Sequence, residues 1–220
     1  MNNLQAVFFD LDGTLIDSEY YYFKNWGPII AEEFGVQLTF DDWIQHFAGH
    51  TLVSNVETIR QVYGIETTVD FMWARTRAAY ESSDMTTIDL MPYAQEILQQ
   101  LKEKGVQIAL VTSSYRTTVD KVLGHHGLLP YFSTIITRDN VQQPKPNPEP
   151  YLLAVQAMGV DADKCAVIED TITGTTAAKA ADLYCIAVSQ QPIEREKLKI
   201  ADQLFENLAE VWNFLDKKIS

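Results

Sequence analysis

Two patterns of apolar and polar residues alternate along the chain, namely short apolar runs and longer segments with a helical period. The apolar runs are rich in Val, Ile and Phe, as is typical of buried strands. They occupy residues 6–9, 106–111, 133–136, 165–168 and 184–188. Because amphipathic segments separate these runs, the pattern predicts a parallel sheet built from βαβ units.

Some helix ends can also be recognised. Pro92 precedes a predicted helix over residues 93–104, which has Lys102 and Lys104 in its last turn and Gly105 just beyond it. Basic residues followed by glycine are a common way for a helix to end. A strand can therefore begin directly at residue 106.

The stretch between the first two predicted strands lacks a convincing strand and is too long for an ordinary crossover loop. Amphipathic helical segments cover residues 41–47, 54–63 and 69–81. Polar hinge segments lie near residues 17–19 and 82–89. We therefore expect a helical domain over residues 18–87, inserted into a main domain that comprises residues 1–17 and 88–220.

The amino-acid composition and the net charge restrict the classes of partner that this chain can bind. The chain has 220 residues, 46% of them hydrophobic, so it can bury a sizeable core and is not expected to be disordered. Its formal net charge of −13 repels nucleic acid and anionic membrane surfaces, and neither is expected as a partner. An anionic substrate would be repelled as well. A phosphate site would need a local positive group such as a metal ion, a lysine or a helix N-terminus.

Cys165 and Cys185 are the only cysteines, and both lie in apolar runs. We expect two buried, reduced thiols. No apolar stretch approaches the roughly 18 residues that a membrane span needs. The N-terminus leads almost directly into the first predicted strand, without the features of a signal peptide. A cytoplasmic monomer is the expectation.

Two carboxylates follow the first apolar run directly. Asp10 and Asp12 are two residues apart, so in an extended segment both point into one crevice while Leu11 points the opposite way. Gly13 permits a sharp turn after them. Taken alone, the segment could equally be an Asp-Gly turn with solvated carboxylates.

Polar residues also follow two other apolar runs. Thr112 ends the second run, and Glu169 and Asp170 follow the fourth. Lys145 lies in a loop stiffened by Pro144, Pro146, Pro148 and Pro150. Singly, these could be a strand-ending threonine, a helix-capping acid and a solvated lysine. Together they meet where open α/β sheets collect ligands, at the carboxyl ends of strands.

These segments resemble the four motifs of the haloacid dehalogenase superfamily. Residues 10–14 match DxDGT, Thr112 matches the second motif, residues 145–151 match KPxPxxY, and residues 169–174 match EDxxxG. The dehalogenases that named the superfamily lack the second aspartate, so Asp12 favours phosphoryl chemistry. The resemblance covers nearly the whole chain. It implies an α/β fold with a Rossmann-like parallel sheet, helices on both faces, and a small all-α cap domain inserted after the first strand.

The resemblance further implies a Mg²⁺-dependent phosphatase with an aspartyl-phosphate intermediate. Asp10 would be the nucleophile and Asp12 the general acid and base. Mg²⁺ would be held by a carboxylate of Asp10, the backbone carbonyl of Asp12 and a carboxylate of Asp170.

The remaining motif residues receive supporting roles from the same resemblance. The Thr112 hydroxyl and the backbone amide of Ser113 would bind the phosphoryl group, and Lys145 would stabilise its oxygens. Glu169 is expected to orient Lys145 or a metal-bound water rather than to ligate the metal ion directly. The substrate would be a small phosphorylated metabolite, such as a sugar phosphate or a phosphoglycolate-like monoester.

The insertion resembles the cap of the subfamily that contains β-phosphoglucomutase and phosphoglycolate phosphatase. Within it, Gly49 and His50 are the candidates for substrate binding, because a glycine between helices lets the backbone approach a ligand. The alternative for His50 is a surface or structural role.

Two other functions stay open. A β-phosphoglucomutase would need the histidine that its pattern has where this chain has Tyr22, and an arginine that is missing from Leu52, Val53 and Ser54. Both departures favour the phosphatase. A non-catalytic binding protein that keeps the fold is the second alternative.

Overall fold

A computed structural model describes residues 3–219. The chain divides into two compact units, one formed by Met1–Ile16 together with Leu90–Ser220 and the other by Asp17–Asp89. The first unit contains the sheet, and the second is helical. The sequence predicts that the insertion begins after residue 17 and ends before residue 88, and these bounds stay a prediction.

Within residues 3–219, six strands form one parallel sheet in the order β3-β2-β1-β4-β5-β6. The strands are β1 (Ala6–Phe9), β2 (Gln107–Val111), β3 (Thr134–Ile136), β4 (Cys165–Glu169), β5 (Tyr184–Val188) and β6 (Gln203–Phe205). The α-helices are α1 (Glu19–Phe34), α2 (Phe40–His46), α3 (Leu52–Tyr63), α4 (Val69–Ser82), α5 (Ala94–Glu103), α6 (Arg116–His125), α7 (Glu149–Met158), α8 (Ile172–Ala180), α9 (Pro192–Lys197) and α10 (Leu208–Leu215). The predicted α/β fold with a helical insertion after the first strand is confirmed.

Both faces of the central strands β1 and β4 are buried, which explains why these strands appear as continuous apolar runs. Ala6 and Phe8 belong to a core cluster that also contains Tyr151 of α7 and Ala177 of α8. Val7 and its neighbours on the opposite face are fully buried as well. The predicted burial of two free thiols, Cys165 and Cys185, is likewise confirmed.

The sequence prediction lacks strand β6 and helix α6. Strand β6 has only three residues, all partly exposed, and it pairs with β5 at the sheet edge. Helix α6 carries exposed polar residues on much of its surface and buries only Val119, Val122 and Leu123. Helix α8 begins at Ile172, where the Thr171 hydroxyl accepts a hydrogen bond from the Gly174 amide and caps the first turn.

The helical unit packs around an aromatic core that includes Trp26, Trp43 and Phe47. Helix α1 was not predicted, because a run of aromatic residues and an internal Pro28 are weak helix signals. Packing of Trp26 and Ile30 into this core supplies the stabilisation that local propensity lacks. Glu19, which the sequence suggested as part of a polar hinge, is the first residue of this helix.

No helix within residues 3–219 combines the length and the apolar composition that a bilayer crossing requires.

Candidate active site

Asp10 and Asp12 lie directly after β1, in the middle of the sheet. The Asp10 amide still donates to the Ile168 carbonyl at 3.0 Å, so the extended backbone continues one residue past the strand. Leu11 is fully buried, whereas Asp10 and Asp12 are buried and partly buried, as alternation along an extended segment requires. Gly13 then turns the chain with a φ of 79°.

Gly13 also makes room for another carboxylate. A Cβ atom built at Gly13 would lie 2.1 Å from Oδ2 of Asp170. Glycine is therefore required at this position for two reasons. The backbone is in the left-handed region, and the Asp170 carboxylate occupies the space that a side chain would fill. The Thr14 hydroxyl donates to Oδ1 of Asp170 at 3.2 Å, which fixes this carboxylate beside the turn.

Lys145 is buried and reaches across the carboxyl ends of three adjacent strands. Its Nζ donates to Oδ1 of Asp10 at 2.6 Å, to the Val111 carbonyl at 2.7 Å and to Oε1 of Glu169 at 2.6 Å. The loop that carries it is tied down by Glu149, whose two oxygens accept from the amides of residues 142 and 143 at 2.8 and 2.9 Å. Three acceptors use all three ammonium protons.

The buried charges shift one another's protonation. Burial raises the pKa of Asp10 to about 7, although Lys145 acts in the opposite direction. Burial by itself would lower the pKa of Lys145, but the carboxylates of Asp10 and Glu169 outweigh it. The pKa of Lys145 therefore lies above its ordinary value, and the ammonium keeps its charge at neutral pH.

Asp10, Glu169 and Asp170 each direct a carboxylate oxygen towards one place, where their ligand atoms lie within 4.8 Å of one another. Such an all-oxygen donor set suits Mg²⁺. The residues present therefore fit the expected metal. Glu169, which the resemblance assigns to orienting Lys145 or a metal-bound water, belongs to this cluster and also contacts Lys145. The geometry therefore accommodates both that role and direct ligation of the metal.

Thr112 follows β2, and its amide donates to the Ile136 carbonyl at 2.9 Å. Its hydroxyl oxygen accepts a hydrogen bond from the Ser114 amide at 2.9 Å. Ser113, the expected phosphate-binding amide, lies between them and is exposed. This short loop thus begins at the same sheet edge as Asp10.

Ser114 was missed by the sequence analysis. Its hydroxyl donates to Oδ2 of Asp12 at 2.6 Å and orients the expected general acid. A polar residue two positions after Thr112 was the available signal, but a serine in a loop carries little information by itself. Only the pairing of β1 with β2 shows that these two loops adjoin.

Tyr151 and Gly174 were noted only as motif positions, and the structure gives each a contact. The Tyr151 hydroxyl donates to Oε1 of Glu169 at 2.6 Å. A Cβ atom at Gly174 would lie 1.8 Å from the same oxygen. Both residues therefore shape the space that the Glu169 carboxylate occupies.

The sequence profile of one protein family, described as haloacid dehalogenase-like hydrolase, matches residues 7–188. This chain belongs to that family. A validoxylamine A 7'-phosphate phosphatase from Streptomyces hygroscopicus subsp. limoneus is 31% identical, over 94% of this chain and 95% of its own. A β-phosphoglucomutase from Bacillus subtilis is 30% identical, over 95% and 96%.

Solved structures of the same family share the architecture of this hydrolase. A haloacid dehalogenase family hydrolase from Deinococcus radiodurans, determined with bound phosphate and sodium, is 27% identical. It covers 99% of this chain and 97% of its own, with a TM-score of 0.80. The predicted family and the predicted class of enzyme are thereby confirmed.

Gly49 and His50, the expected substrate-binding residues of this hydrolase, lie between α2 and α3 in the helical unit. Gly49 has a φ of 71°, and its amide donates to Oε1 of Glu19 at 2.9 Å. Oε2 of Glu19 accepts from the Trp43 indole at 2.7 Å. His50 is exposed, and its Nδ1 lies 3.2 Å from the His46 carbonyl oxygen. Their part in substrate binding stays a prediction.

Proposed function

We propose that this hydrolase is a Mg²⁺-dependent phosphatase that cleaves a small phosphorylated metabolite, such as a sugar phosphate or a phosphoglycolate-like monoester. The observation that carries the proposal is the joint placement of Asp10 against Lys145 Nζ at 2.6 Å and of Asp12 against the Ser114 hydroxyl at 2.6 Å. A nucleophile, a general acid and a buried cation are what phosphoryl transfer requires. The phosphatase relative from Streptomyces supports this choice.

In the first half of the proposed reaction, a carboxylate oxygen of Asp10 attacks phosphorus and the bond to the leaving oxygen breaks. Asp12 gives its proton to the departing alkoxide, and Ser114 keeps its carboxyl group oriented. Lys145 lies next to Asp10 and stabilises negative charge on the transferring oxygens. The products are the free alcohol and an aspartyl phosphate on Asp10.

In the second half, water attacks the phosphorus of the aspartyl phosphate. Asp12, now a carboxylate, takes a proton from that water. The bond between phosphorus and the Asp10 oxygen breaks, so inorganic phosphate leaves and both aspartates return to their starting states.

The metal would be held by carboxylates of Asp10 and Asp170 and by the backbone carbonyl of Asp12, with Glu169 close by. When bound, Mg²⁺ would supply positive charge that shields the phosphoryl oxygens and favours the ionised form of Asp10.

Phosphate release from an aryl phosphate and from a panel of sugar phosphates, phosphoglycolate and nucleotides tests the proposal. We expect Mg²⁺-dependent turnover that Asp10→Asn abolishes, because an amide cannot act as the nucleophile. Asp120→Asn, on the exposed face of α6, serves as the matched control and should keep wild-type rates. Turnover by Asp10→Asn at near-wild-type rates would remove Asp10 from this role, and an inactive wild-type enzyme would favour the non-catalytic alternative.

The second candidate function is that of a β-phosphoglucomutase, and the relative from Bacillus subtilis favours it. Tyr22 stands where the mutase pattern has histidine, and its ring packs edge-on against Tyr80 with centroids 5.7 Å apart. A phenolic hydroxyl is a poorer proton-transfer group at neutral pH than an imidazole. The segment after Thr51 offers Leu52, Val53 and Ser54, none of which can replace an arginine that anchors a second phosphate.

Phosphorus NMR of β-glucose 1-phosphate with enzyme, Mg²⁺ and a bisphosphate primer distinguishes the two functions. We expect accumulation of inorganic phosphate and no sustained formation of glucose 6-phosphate. Rapid isomerisation without free phosphate would establish the mutase in place of the phosphatase.

A further inference from the structure

Tyr151 contacts both partners of the buried ion pair between Lys145 and Glu169. It lies in the first turn of α7 and is fully buried. Its hydroxyl donates to Oε1 of Glu169 at 2.6 Å, and its ring centroid lies 5.0 Å from Lys145 Nζ. This distance is within the range of a cation–π interaction. One side chain thus contacts the carboxylate through its hydroxyl and the ammonium through its ring face.

The two oxygens of the Glu169 carboxylate differ in the number and strength of the hydrogen bonds that they accept. Oε1 accepts short hydrogen bonds from both Lys145 and Tyr151. Oε2 accepts from the Thr171 hydroxyl at 3.4 Å, a much weaker contact. Glu169 is fully buried, so no solvent replaces a lost partner. Rotation of this carboxylate would break two strong hydrogen bonds at once.

We propose that Tyr151 is a positioning residue for phosphoryl transfer. Its hydroxyl fixes Glu169, and Glu169 together with the ring face of Tyr151 keeps the Lys145 ammonium against Asp10. This inference rests on the proposed phosphatase function and adds to it a residue that acts through Lys145. Charge develops on the phosphoryl oxygens in the transition state, so a displaced ammonium slows turnover more than it weakens binding.

The substitution Tyr151→Phe tests the hydroxyl alone, because it leaves the ring beside Lys145. We expect kcat to fall about tenfold while KM stays within about twofold, as for loss of a contact that matters in the transition state. Tyr93→Phe is the matched control. It removes another hydroxyl hydrogen bond of the same unit, from Tyr93 to Oε1 of Gln100 at 3.0 Å, and should leave kcat unchanged.

A second readout does not depend on activity. Lys145 is buried with three acceptors, whereas Lys121 is exposed on α6. Limited acetylation followed by mass spectrometry gives the modification rate of Lys145 relative to Lys121. We expect Tyr151→Phe to raise this ratio at least threefold, because the ammonium is held less firmly, and Tyr93→Phe to leave it unchanged.

The value of kcat and the acetylation ratio together test whether Tyr151 acts through Lys145. An unchanged kcat in Tyr151→Phe would overturn the inference. A lower kcat with an unchanged acetylation ratio would also overturn it, because the hydroxyl would then act by a route other than Lys145. If the wild-type enzyme releases no phosphate from any substrate, the proposed function fails, while the acetylation ratio still reports whether Tyr151 holds Lys145.

Discussion

Gly174 determines where the Glu169 carboxylate can lie. A Cβ atom at this position would fall 1.8 Å from Oε1 and 2.1 Å from Oε2 of Glu169. No real contact is that short, so an alanine must displace the carboxylate or the first turn of α8. Displacement of Glu169 would disturb Lys145, whose ammonium it contacts at 2.6 Å.

We therefore expect Gly174→Ala to lower kcat by at least about tenfold, as misplacement of a charged group near the reacting atoms does. Gly124→Ala is the control, because it also replaces a helical glycine of the same unit, and its nearest neighbour is Cδ1 of Leu129 at an ordinary 3.6 Å. Alanine is favoured over glycine in helices by up to about 1 kcal/mol, so this control should be as stable as the wild type or more so. Steady-state kinetics and thermal unfolding measure both, and a fully active Gly174→Ala enzyme would show that the carboxylate need not stay in place.

Asp170 lies in the acidic cluster and accepts a hydrogen bond from the Thr14 hydroxyl at 3.2 Å. Asp170→Ala removes an oxygen ligand, so we expect the Mg²⁺ concentration for half-maximal activity to rise at least about tenfold, as carboxylates are the main protein ligands of this ion. Asp120→Ala, outside the site, should leave it unchanged. Calorimetric titration with Mg²⁺ provides a readout without turnover. An unaltered metal requirement would shift the assignment to Glu169.

The central strands owe their stability to burial on both faces, and in strand β5 this burial makes the stability of the fold depend on pH. Cys185 is fully buried in β5, and this burial raises the pKa of its thiol from 9.0 to about 12. In the unfolded chain the thiol ionises near its ordinary value, whereas in the fold it stays protonated. Between these two values the folded state binds more protons, so its stability falls as pH rises.

We expect the free energy of unfolding of the wild type to decrease between pH 7.5 and pH 10 by about 1 kcal/mol more than that of Cys185→Ala. Full stabilisation from this thiol is present below the unfolded pKa and is lost as pH rises towards the folded one. Urea unfolding of the two proteins at both pH values measures the difference. The contributions of lysine and tyrosine titration cancel in this comparison, because both proteins have the same lysines and tyrosines. Equal losses in the two proteins would contradict the assigned pKa.

For the whole molecule, the dominant electrostatic feature is the formal net charge of −13. Around the site itself, Asp10, Glu169 and Asp170 outnumber the Lys145 ammonium. A phosphorylated substrate must therefore approach against a negative field, which salt screens over roughly 30 Å at 0.01 M and about 8 Å at 0.15 M. The field affects encounter more than the chemical step.

At saturating Mg²⁺ we expect KM for an anionic phosphate ester to fall about two- to fivefold when KCl rises from about 10 to about 150 mM, with kcat little changed. Sucrose at matched osmolality controls for effects other than screening. A KM that rises with salt would mean that Lys145 and the bound metal dominate the field along the approach path.

Much of the sheet unit could be predicted from local sequence. Continuous apolar runs, which result from burial on both faces, predict the strands β1, β2 and β4. These strands end at or next to Asp10, Thr112 and Glu169. The spacing of Asp10 and Asp12 predicts a shared face, and the motif order gave the family. Elements without such a signal were missed: β6, three partly exposed residues at a sheet edge, and α1, whose aromatic residues become helical through packing.

The contacts within the site were decided by the tertiary structure. Ser114 reaches Asp12 across 102 residues of sequence, and Tyr151 and Lys145 reach Glu169 across 18 and 24. Such pairs form only when parallel strands bring their carboxyl ends to one edge, and strand order is a property of the whole sheet. The sequence by itself determined which residue types stand at the strand ends, because period and composition are local. Which oxygen meets which donor depends on packing, so only the folded chain decides it.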